Sequence, residues 1–261
     1  MRLAAPLLVA ALALGSCGKG GNGPAPEIAL HPGCQKVAFE TTPLTVCVAD
    51  PALHTIRTAL GPANGKPWRS LANLSANRPA DAQPVVFALN AGMFDDNGEP
   101  IGYYVEGGEK KHALNRNQGP GNFHMLPNGV FYGSASQWHV ATAEDFFARV
   151  TQRPDFGTQS GPMLVIDGSL HPKIDPDGPS ERIRDAVGVD DKGRALFVIS
   201  DMPISFGRLA RFYRDELKVK NALFLDGTVS SLWDPASGRL DNGFPIGPLI
   251  VVEKRAKAGS S

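Results

Sequence analysis

The sequence predicts a single α+β domain: a mixed β-sheet rich in antiparallel hairpins, with few helices and one C-terminal βαβ unit. Three observations lead there. Short β-branched or apolar runs recur at residues 37–39, 44–48, 85–89, 163–166, 194–199, 222–225 and 248–252. Each is too short for a buried helix and reads as a strand. The breaks between runs are those of hairpins, including Asp96-Asn97-Gly98, Gly107-Gly108, Asn128-Gly129, Asp167-Gly168 and Asp190-Asp191-Lys192-Gly193. Finally, Phe206, Leu209, Ala210, Tyr213 and Leu217 recur at helical spacing between two of the apolar runs. Strand, helix, strand with short connections is a βαβ unit, and its two strands should be parallel.

Taken in order, residues 1–17 have the form of a lipoprotein-type signal peptide: Arg2, an apolar stretch from Leu3 to Leu14, then Leu14-Gly15-Ser16-Cys17. Cys17 is the expected lipidation site, and residues 18–33, rich in Gly and Pro, are a flexible tether. This implies an exported protein, lipid-anchored to the bacterial cell envelope, that meets the membrane by its lipid alone. About 230 residues remain, enough for one sizeable core. The domain is placed at 34–253 and a disordered tail at 254–261.

Formal charge is zero, from 26 basic and 26 acidic residues. The one basic block is the tail Lys254-Arg255-Ala256-Lys257, so no nucleic-acid partner is expected. Cys34 and Cys47 flank a hairpin around Thr41-Thr42-Pro43. In an oxidising compartment they are expected to form a cross-strand disulfide worth about 3 kcal/mol, against the alternative of two buried thiols. No Cys/His spacing matches a zinc site.

After the first hairpin, residues 53–60 read as a strand. Trp68, Leu71, Ala72 and Ser75 suit a short helix opened by Pro67. The run 85–89 ends at Asn90-Ala91-Gly92. Strands are expected at 102–106, 121–126 and 130–132. Thr142 with Asp145 forms a capping box for a helix to about Val150 that buries Phe146, Phe147 and Val150. His112 and His139 are read as surface residues. Residues 171–183, with three prolines, are a surface loop. Two strands, 184–189 and 194–199, pair across Asp190–Gly193, and Ser205 caps the helix over 206–217.

Four patches share one character, polar residues and Gly set against an apolar strand: Asn90-Ala91-Gly92, Gln159-Ser160-Gly161-Pro162, Arg184-Asp185 and Asp226-Gly227-Thr228-Val229-Ser230-Ser231. Alone, Asp226-Gly227 is a turn. At the end of a buried strand it also stands where α/β sheets place ligands, and the βαβ reading puts Asp201 on the same edge. The combined chemistry suits an anion. Arg184 offers a planar fork, and backbone N–H groups around Gly92, Gly161 and Gly227 allow close approach. Asp226, with Asp185 or Asp201, supplies paired carboxylates of the glycosidase type. There is no serine-hydrolase elbow, P-loop or dinucleotide fingerprint.

The motifs Asn90-Ala-Gly-Met-Phe, Gly121-Asn-Phe-His-Met-Leu-Pro-Asn-Gly-Val-Phe, Thr158-Gln-Ser-Gly-Pro-Met-Leu-Val, Arg184-Asp-Ala-Val-Gly-Val and Asn221-Ala-Leu-Phe-Leu-Asp-Gly-Thr-Val-Ser together resemble the phosphodiester glycosidase domain family, in its uncovering-enzyme-like bacterial branch. Where many members carry Asn or Thr after the Arg, this chain has Asp185. The resemblance implies hydrolysis of the bond between a sugar's anomeric carbon and phosphate, the substrate being a sugar-1-phosphodiester or phosphorylated glycan. For that reaction the four patches suggest Arg184 for phosphate and Asp226 as nucleophile, base or electrostatic stabiliser. Asn90, Gln159, Ser160, Asp201 and Ser230 would contact substrate, and Gly92, Gly161 and Gly227 would permit close approach. Two other classes fit the residues: a non-catalytic envelope module that binds glycan or phosphodiester polymer, and a phosphodiesterase holding Ca²⁺ or Mg²⁺ on Asp185, Asp201 and Asp226.

Overall fold

A computed structural model describes residues 28–63 and 65–256. The expected signal peptide, the Cys17 lipidation site, most of the tether and the last five residues of the tail lie outside the described residues. No helix among the described residues is long and apolar enough to cross a membrane.

The domain is organised on a seven-stranded sheet. In spatial order its strands are Gly33–Phe39, Thr42–Ala49, Ala195–Ser200, Asp185–Val189, Ala222–Asp226, Met163–Ile166 and Ser169–Leu170. Every neighbouring pair is antiparallel. The expected βαβ unit is present in split form. Ala195–Ser200 and Ala222–Asp226 do run the same way, but Asp185–Val189 lies between them, antiparallel to both. The hairpin across Asp190–Gly193 therefore returns into the gap that the helical crossover spans.

Both faces of this sheet are covered, which explains its near-continuous apolar strands. Alternation sorts each strand between the two faces. Ala222 and Phe224 join Leu44, Val46, Val198, Leu209, Phe212 and Tyr213 under the helix. Leu223 and Leu225 join Val187, Phe197, Phe87, Ile250, Phe131 and Phe156 on the opposite side. That second cluster is the junction of three sheets. One five-stranded sheet orders Arg239–Leu240, Leu232–Asp234, Val85–Asn90, Leu249–Lys254 and His54–Ala59; the other orders Glu109–His112, Tyr104–Glu106, Phe156–Ser160, Gly129–Ser134 and Gln137–Thr142. Phe197 meets Phe87 edge-on at 5.5 Å and Phe131 at 5.6 Å, so one ring touches both smaller sheets.

Cys34 and Cys47 are cross-strand partners joined by a disulfide. Ser205 caps the helix Phe206–Arg211 by accepting from the Arg208 N–H. The helix then widens into a π turn over Phe212–Glu216. The wider turn buries Phe212 beside Tyr213, a contact that 3.6-residue spacing does not anticipate.

Several local expectations need correction. Residues 121–126 are not a strand: Asn122–His124 is a single 3-10 turn entered from Gly121 at φ +83°. The first helix is Leu71–Ala76, capped by Ser70 rather than opened by Pro67. Thr142 caps the helix Ala143–Arg149 as expected. Phe146 is buried there, but Phe147 is 66% exposed with the Arg116 guanidinium 4.4 Å from its ring centre. Lys254 ends the last strand instead of starting the tail.

Candidate active site

Asp185 and Asp226 are paired neighbours across the centre of the main sheet, at the carboxyl end of Ala222–Asp226. Arg184 and Asp185 leave their strand on opposite faces, and the site is built on both sides of that edge.

On the helix face lies Arg184, 2% exposed. Its Nε donates to the Ile204 carbonyl at 2.9 Å and its Nη2 to the Ser180 carbonyl at 3.0 Å. Its backbone N–H donates to Ser200 Oγ at 3.0 Å. The guanidinium stacks 3.7 Å from the centre of the Phe206 ring and 5.5 Å from that of Phe224. All its acceptors are neutral. Burial, with Arg182 nearby, brings its pKa down to about 10, so it still carries its charge at neutral pH. Nη1 has no acceptor among the described residues. It points toward Gly227, where a Cβ would stand 3.0 Å from Nη1 and 3.0 Å from the Phe224 ring. A side chain there would press on both groups.

On the other face lies Asp185, fully buried. Its Oδ1 accepts from Asn90 Nδ2 at 3.2 Å, from the Asp226 N–H at 3.0 Å and from Ser230 Oγ at 3.1 Å. Its Oδ2 is buried with no partner among the described residues. Burial pushes this carboxyl well above the usual range, and the neighbouring Asp226 adds to the rise; the three donors at Oδ1 act in the opposite direction. Asn90 completes the clamp by accepting from the Ser231 N–H at 2.8 Å. Asp185 thus holds both ends of the segment 226–230, and Asn90 fastens it to the second sheet.

Asp226 itself is half-buried. Its Oδ1 accepts from the N–H groups of Gly227 at 2.6 Å, Thr228 at 2.8 Å and Val229 at 3.4 Å. Ser160 Oγ donates to the Leu225 carbonyl at 2.7 Å, one residue before it.

The other residues singled out in the sequence have different surroundings. Gln159 is buried, and all four of its hydrogen-bonding positions are used inside the protein. Its Oε1 accepts from Tyr103 N at 2.8 Å and Asn115 N at 2.9 Å, while Nε2 donates to Asn115 O at 2.6 Å and Asn128 Oδ1 at 3.3 Å. It ties the loop at Asn115 to the third sheet. Gly92 donates to Thr158 Oγ1 at 2.9 Å, and a Cβ there would collide with the Gln159 carbonyl. A Cβ on Gly161 would fall 2.8 Å from the Phe123 carbonyl. Both glycines serve packing of backbone against backbone.

Asp201 shares the sheet edge, but its carboxylate is taken up in an ion-pair network. It accepts from Lys36 Nζ at 2.9 Å, Arg239 Nη1 at 2.9 Å and Thr45 Oγ1 at 3.0 Å. Asp185, Asp201 and Asp226 therefore do not converge. Among the described residues no group of three or more His, Cys, Asp or Glu is placed to hold a metal ion. His112 and His139 are exposed.

Sequence reasoning missed the groups that hold Arg184. Phe206 was legible only as the first apolar residue of a helix, and the Ser180 and Ile204 carbonyls carry no side-chain signal at all. Ser200 carries a usable signal, a hydroxyl ending a six-residue strand that is buried throughout.

Residues 83–252 match the model of the phosphodiester glycosidase family. A relative in Escherichia coli strain K12, the uncharacterized protein YigE, is 32% identical over 206 residues, spanning 79% of this chain and 80% of the relative. Among solved structures, the catalytic domain of zebrafish N-acetylglucosamine-1-phosphodiester alpha-N-acetylglucosaminidase, auto-inhibited by its pro-peptide, superposes with a TM-score of 0.57. That match is 14% identical and covers 85% of this chain and 82% of the zebrafish one, a likeness of fold. The matched span contains the Arg184, Asp185 and Asp226 site, and the chain belongs to the phosphodiester glycosidase family.

Proposed function

We propose that this protein hydrolyses sugar-1-phosphodiesters at the bond between the anomeric carbon and the phosphate oxygen. The observation that carries the reading is Arg184: a charged guanidinium, 2% exposed, with only neutral acceptors and one donor atom without an acceptor among the described residues, close to Gly227. A buried cation is costly unless something anionic meets it. A phosphate diester meets it, and the adjacent Asp226 carboxylate then stands where positive charge develops on the sugar.

In the reaction the bond from anomeric carbon to phosphate oxygen breaks, and its electron pair leaves with the phosphate. Water supplies hydroxyl to the anomeric carbon, and its remaining proton passes to solvent or to the phosphate monoester. A phosphate monoester leaves readily, so the site has more need of charge stabilisation than of a strong acid. In this scheme Arg184 binds and neutralises the phosphate. Asp226 stabilises the oxocarbenium-like carbon or activates its attacker. Asp185, Asn90 and Ser230 are positioning residues that fix the segment carrying Asp226. The test is turnover of a panel of sugar-1-phosphodiesters by the purified protein. Free sugar and phosphate monoester should appear in equal amounts. Binding without release of either product would leave a glycan-binding module instead.

We further propose that the enzyme works at the cell envelope, held there by lipid on Cys17, as supported by the Leu14-Gly15-Ser16-Cys17 sequence and the Gly-rich tether. Cys17→Ala is expected to move the protein from the membrane fraction to the soluble fraction on cell lysis. An unchanged membrane fraction would rule the anchor out.

A further inference from the structure

The segment that carries Asp226 runs from one sheet to another. It leaves the main sheet at Asp226 and enters the second sheet at Leu232, which pairs with Leu89. Between these points the chain closes on itself. Asp226 Oδ1 accepts from the N–H groups of Gly227 and Thr228, and Ser230 Oγ donates to the Asp226 carbonyl at 3.0 Å. A turn closed in this way moves as one piece, so its aim is set by what holds its two ends. Asp185 holds the front through the Asp226 N–H. At the rear Asn90 takes the Ser231 N–H, and Asp241 Oδ2 takes the Leu232 N–H at 2.9 Å. The Leu232 carbonyl in turn accepts from the Asp241 N–H at 3.0 Å. That rear anchor is lightly seated in its own sheet. Leu232–Asp234 pairs with Val85–Asn90 only at Leu232 and Trp233, and its other neighbour is the edge strand Arg239–Leu240. Arg239 adds a link back to the main sheet. Its Nε donates to Asp241 Oδ1 at 3.0 Å and Oδ2 at 3.1 Å, and its Nη2 to Oδ2 at 2.8 Å. Its Nη1 donates to Asp201 Oδ1 at 2.9 Å and Thr45 Oγ1 at 3.2 Å.

We propose that Arg239 is a positioning residue for Asp226, and that Asp201, Arg239 and Asp241 form a strap tying the rear of its turn to the main sheet. This rests on the function proposed above and adds to it the part that sets the angle at which Asp226 meets substrate. The strap closes a circuit. From Asp226 it passes along the turn to Leu232, then through Asp241 and Arg239 to Asp201. Asp201 follows the strand Ala195–Ser200, which is separated from Ala222–Asp226 by a single strand. The two sheets therefore cannot shift against each other at this edge without breaking it. Only a planar guanidinium meets two carboxylates in two directions at once; a point charge cannot. The side chains of Arg239, Asp201 and Asp241 are 24%, 19% and 31% exposed, so solvent and salt screen these pairs less than they screen surface pairs. Asp201 acquires a role by the same reasoning: it acts on the site through Arg239, not on substrate.

Arg239→Ala cuts the strap and is expected to lower kcat on a sugar-1-phosphodiester by about 10- to 100-fold, with KM within about twofold of wild type. Asp201→Asn keeps an acceptor for Nη1 and should retain most of the activity. Asp201→Ala should not, and adding it to Arg239→Ala should lower kcat little further, since both cut one link. The control for general loosening is Arg57→Ala. It breaks the Arg57–Glu253 ion pair at the opposite edge of the second sheet, where Arg78 still meets Glu253, and should leave kcat unchanged. Amide hydrogen exchange supplies a readout without turnover. In Arg239→Ala the Ser231 and Leu232 N–H groups should exchange at least about tenfold faster than in wild type, with those of Asp185–Val189 unaltered. Arg239→Gln carries both measurements if the Ala variant does not fold. Unchanged exchange at Ser231 and Leu232 would overturn the strap. Faster exchange with wild-type kcat would overturn the positioning role, and so would an equal loss of kcat in Arg57→Ala. If exchange quickens but wild type turns over no sugar-1-phosphodiester, the strap stands and the proposed hydrolysis falls.

Discussion

Replacing Arg184 by Gln is expected to lower kcat/KM on a sugar-1-phosphodiester by about 10³-fold, and Arg184→Lys is expected to lower it nearly as far. The Lys result is the more informative, because it keeps the charge. The arginine uses its plane in three directions: Nε to Ile204 O, Nη2 to Ser180 O and Nη1 toward Gly227, with one face on the Phe206 ring at 3.7 Å. An ammonium group on a flexible stem satisfies at most one of these directions and cannot stack. The Gln variant also leaves the buried Ile204 carbonyl without its donor, at about 1–3 kcal/mol. Its activity must therefore be read on protein shown to be folded by its unfolding transition. The loss should be confined to phosphodiester substrates, with any residual hydrolysis of an uncharged aryl glycoside unchanged. An Arg184→Lys enzyme within about threefold of wild type would remove Arg184 from the phosphate-binding role.

The residues that proved easiest to read in the sequence are those whose environment is local. Asp226 was legible because an apolar run stops at Asp-Gly. The Asp185–Val189 and Ala195–Ser200 pair was legible because Asp190–Gly193 is turn chemistry between two strand-like runs. What escaped is fixed by partners distant in the chain. Phe156–Ser160 is buried at all five positions, yet Gly157, Thr158, Gln159 and Ser160 present no apolar pattern. Their burial is tolerable because Thr158 takes the Gly92 N–H, Gln159 fills all its valences and Ser160 reaches the Leu225 carbonyl. None of those partners is within strand-pairing reach in sequence. The same limit separates Asp185 from Asp201. Both are strand-end aspartates at the same edge, and only the arrival of Lys36 and Arg239 from elsewhere in the chain takes Asp201 into an ion-pair network. Phe146 and Phe147 show a smaller version of it: the capping box fixes where the helix starts, but packing against Tyr103 and Tyr132 decides which ring is buried. The split βαβ unit belongs here too, since the order of strands in a sheet is a property of the whole core.

Asp185 offers the sharpest thermodynamic contrast. Asp185→Ala is expected to cost about 3 kcal/mol or more, and Asp185→Asn to be more stable than wild type at neutral pH. The Ala variant strands Asn90 Nδ2 and the Asp226 N–H around a cavity, since both donate to the one oxygen Oδ1, whereas Ser230 Oγ keeps the Asp226 carbonyl at 3.0 Å as an acceptor. The Asn variant keeps that acceptor and places an NH₂ where Oδ2 stands, which reproduces the protonated acid in shape and charge. The sign follows from burial. The folded state holds this carboxyl well above the ordinary aspartate range, so folding favours the protonated form. That contribution is complete below the unfolded pKa and is lost as pH rises through the folded one. Each unit between the two values corresponds to about 1.4 kcal/mol. Wild type should therefore lose stability relative to Asp185→Asn from about pH 4 upward, with the gap levelling off once the folded carboxyl has ionised. Urea midpoints of the two proteins across pH 4 to 8 measure it. A wild type that gains on the Asn variant as pH rises would mean that the three donors outweigh burial and that Asp185 is charged in the fold. The kinetic counterpart separates positioning from proton transfer. With Asp185 as the clamp on the segment 226–230, its ionisation places a second negative charge beside Asp226 and lowers kcat on the alkaline side. Asp185→Asn should flatten that limb while retaining turnover; abolished turnover in a folded Asn variant would instead make the Asp185 proton part of the chemistry.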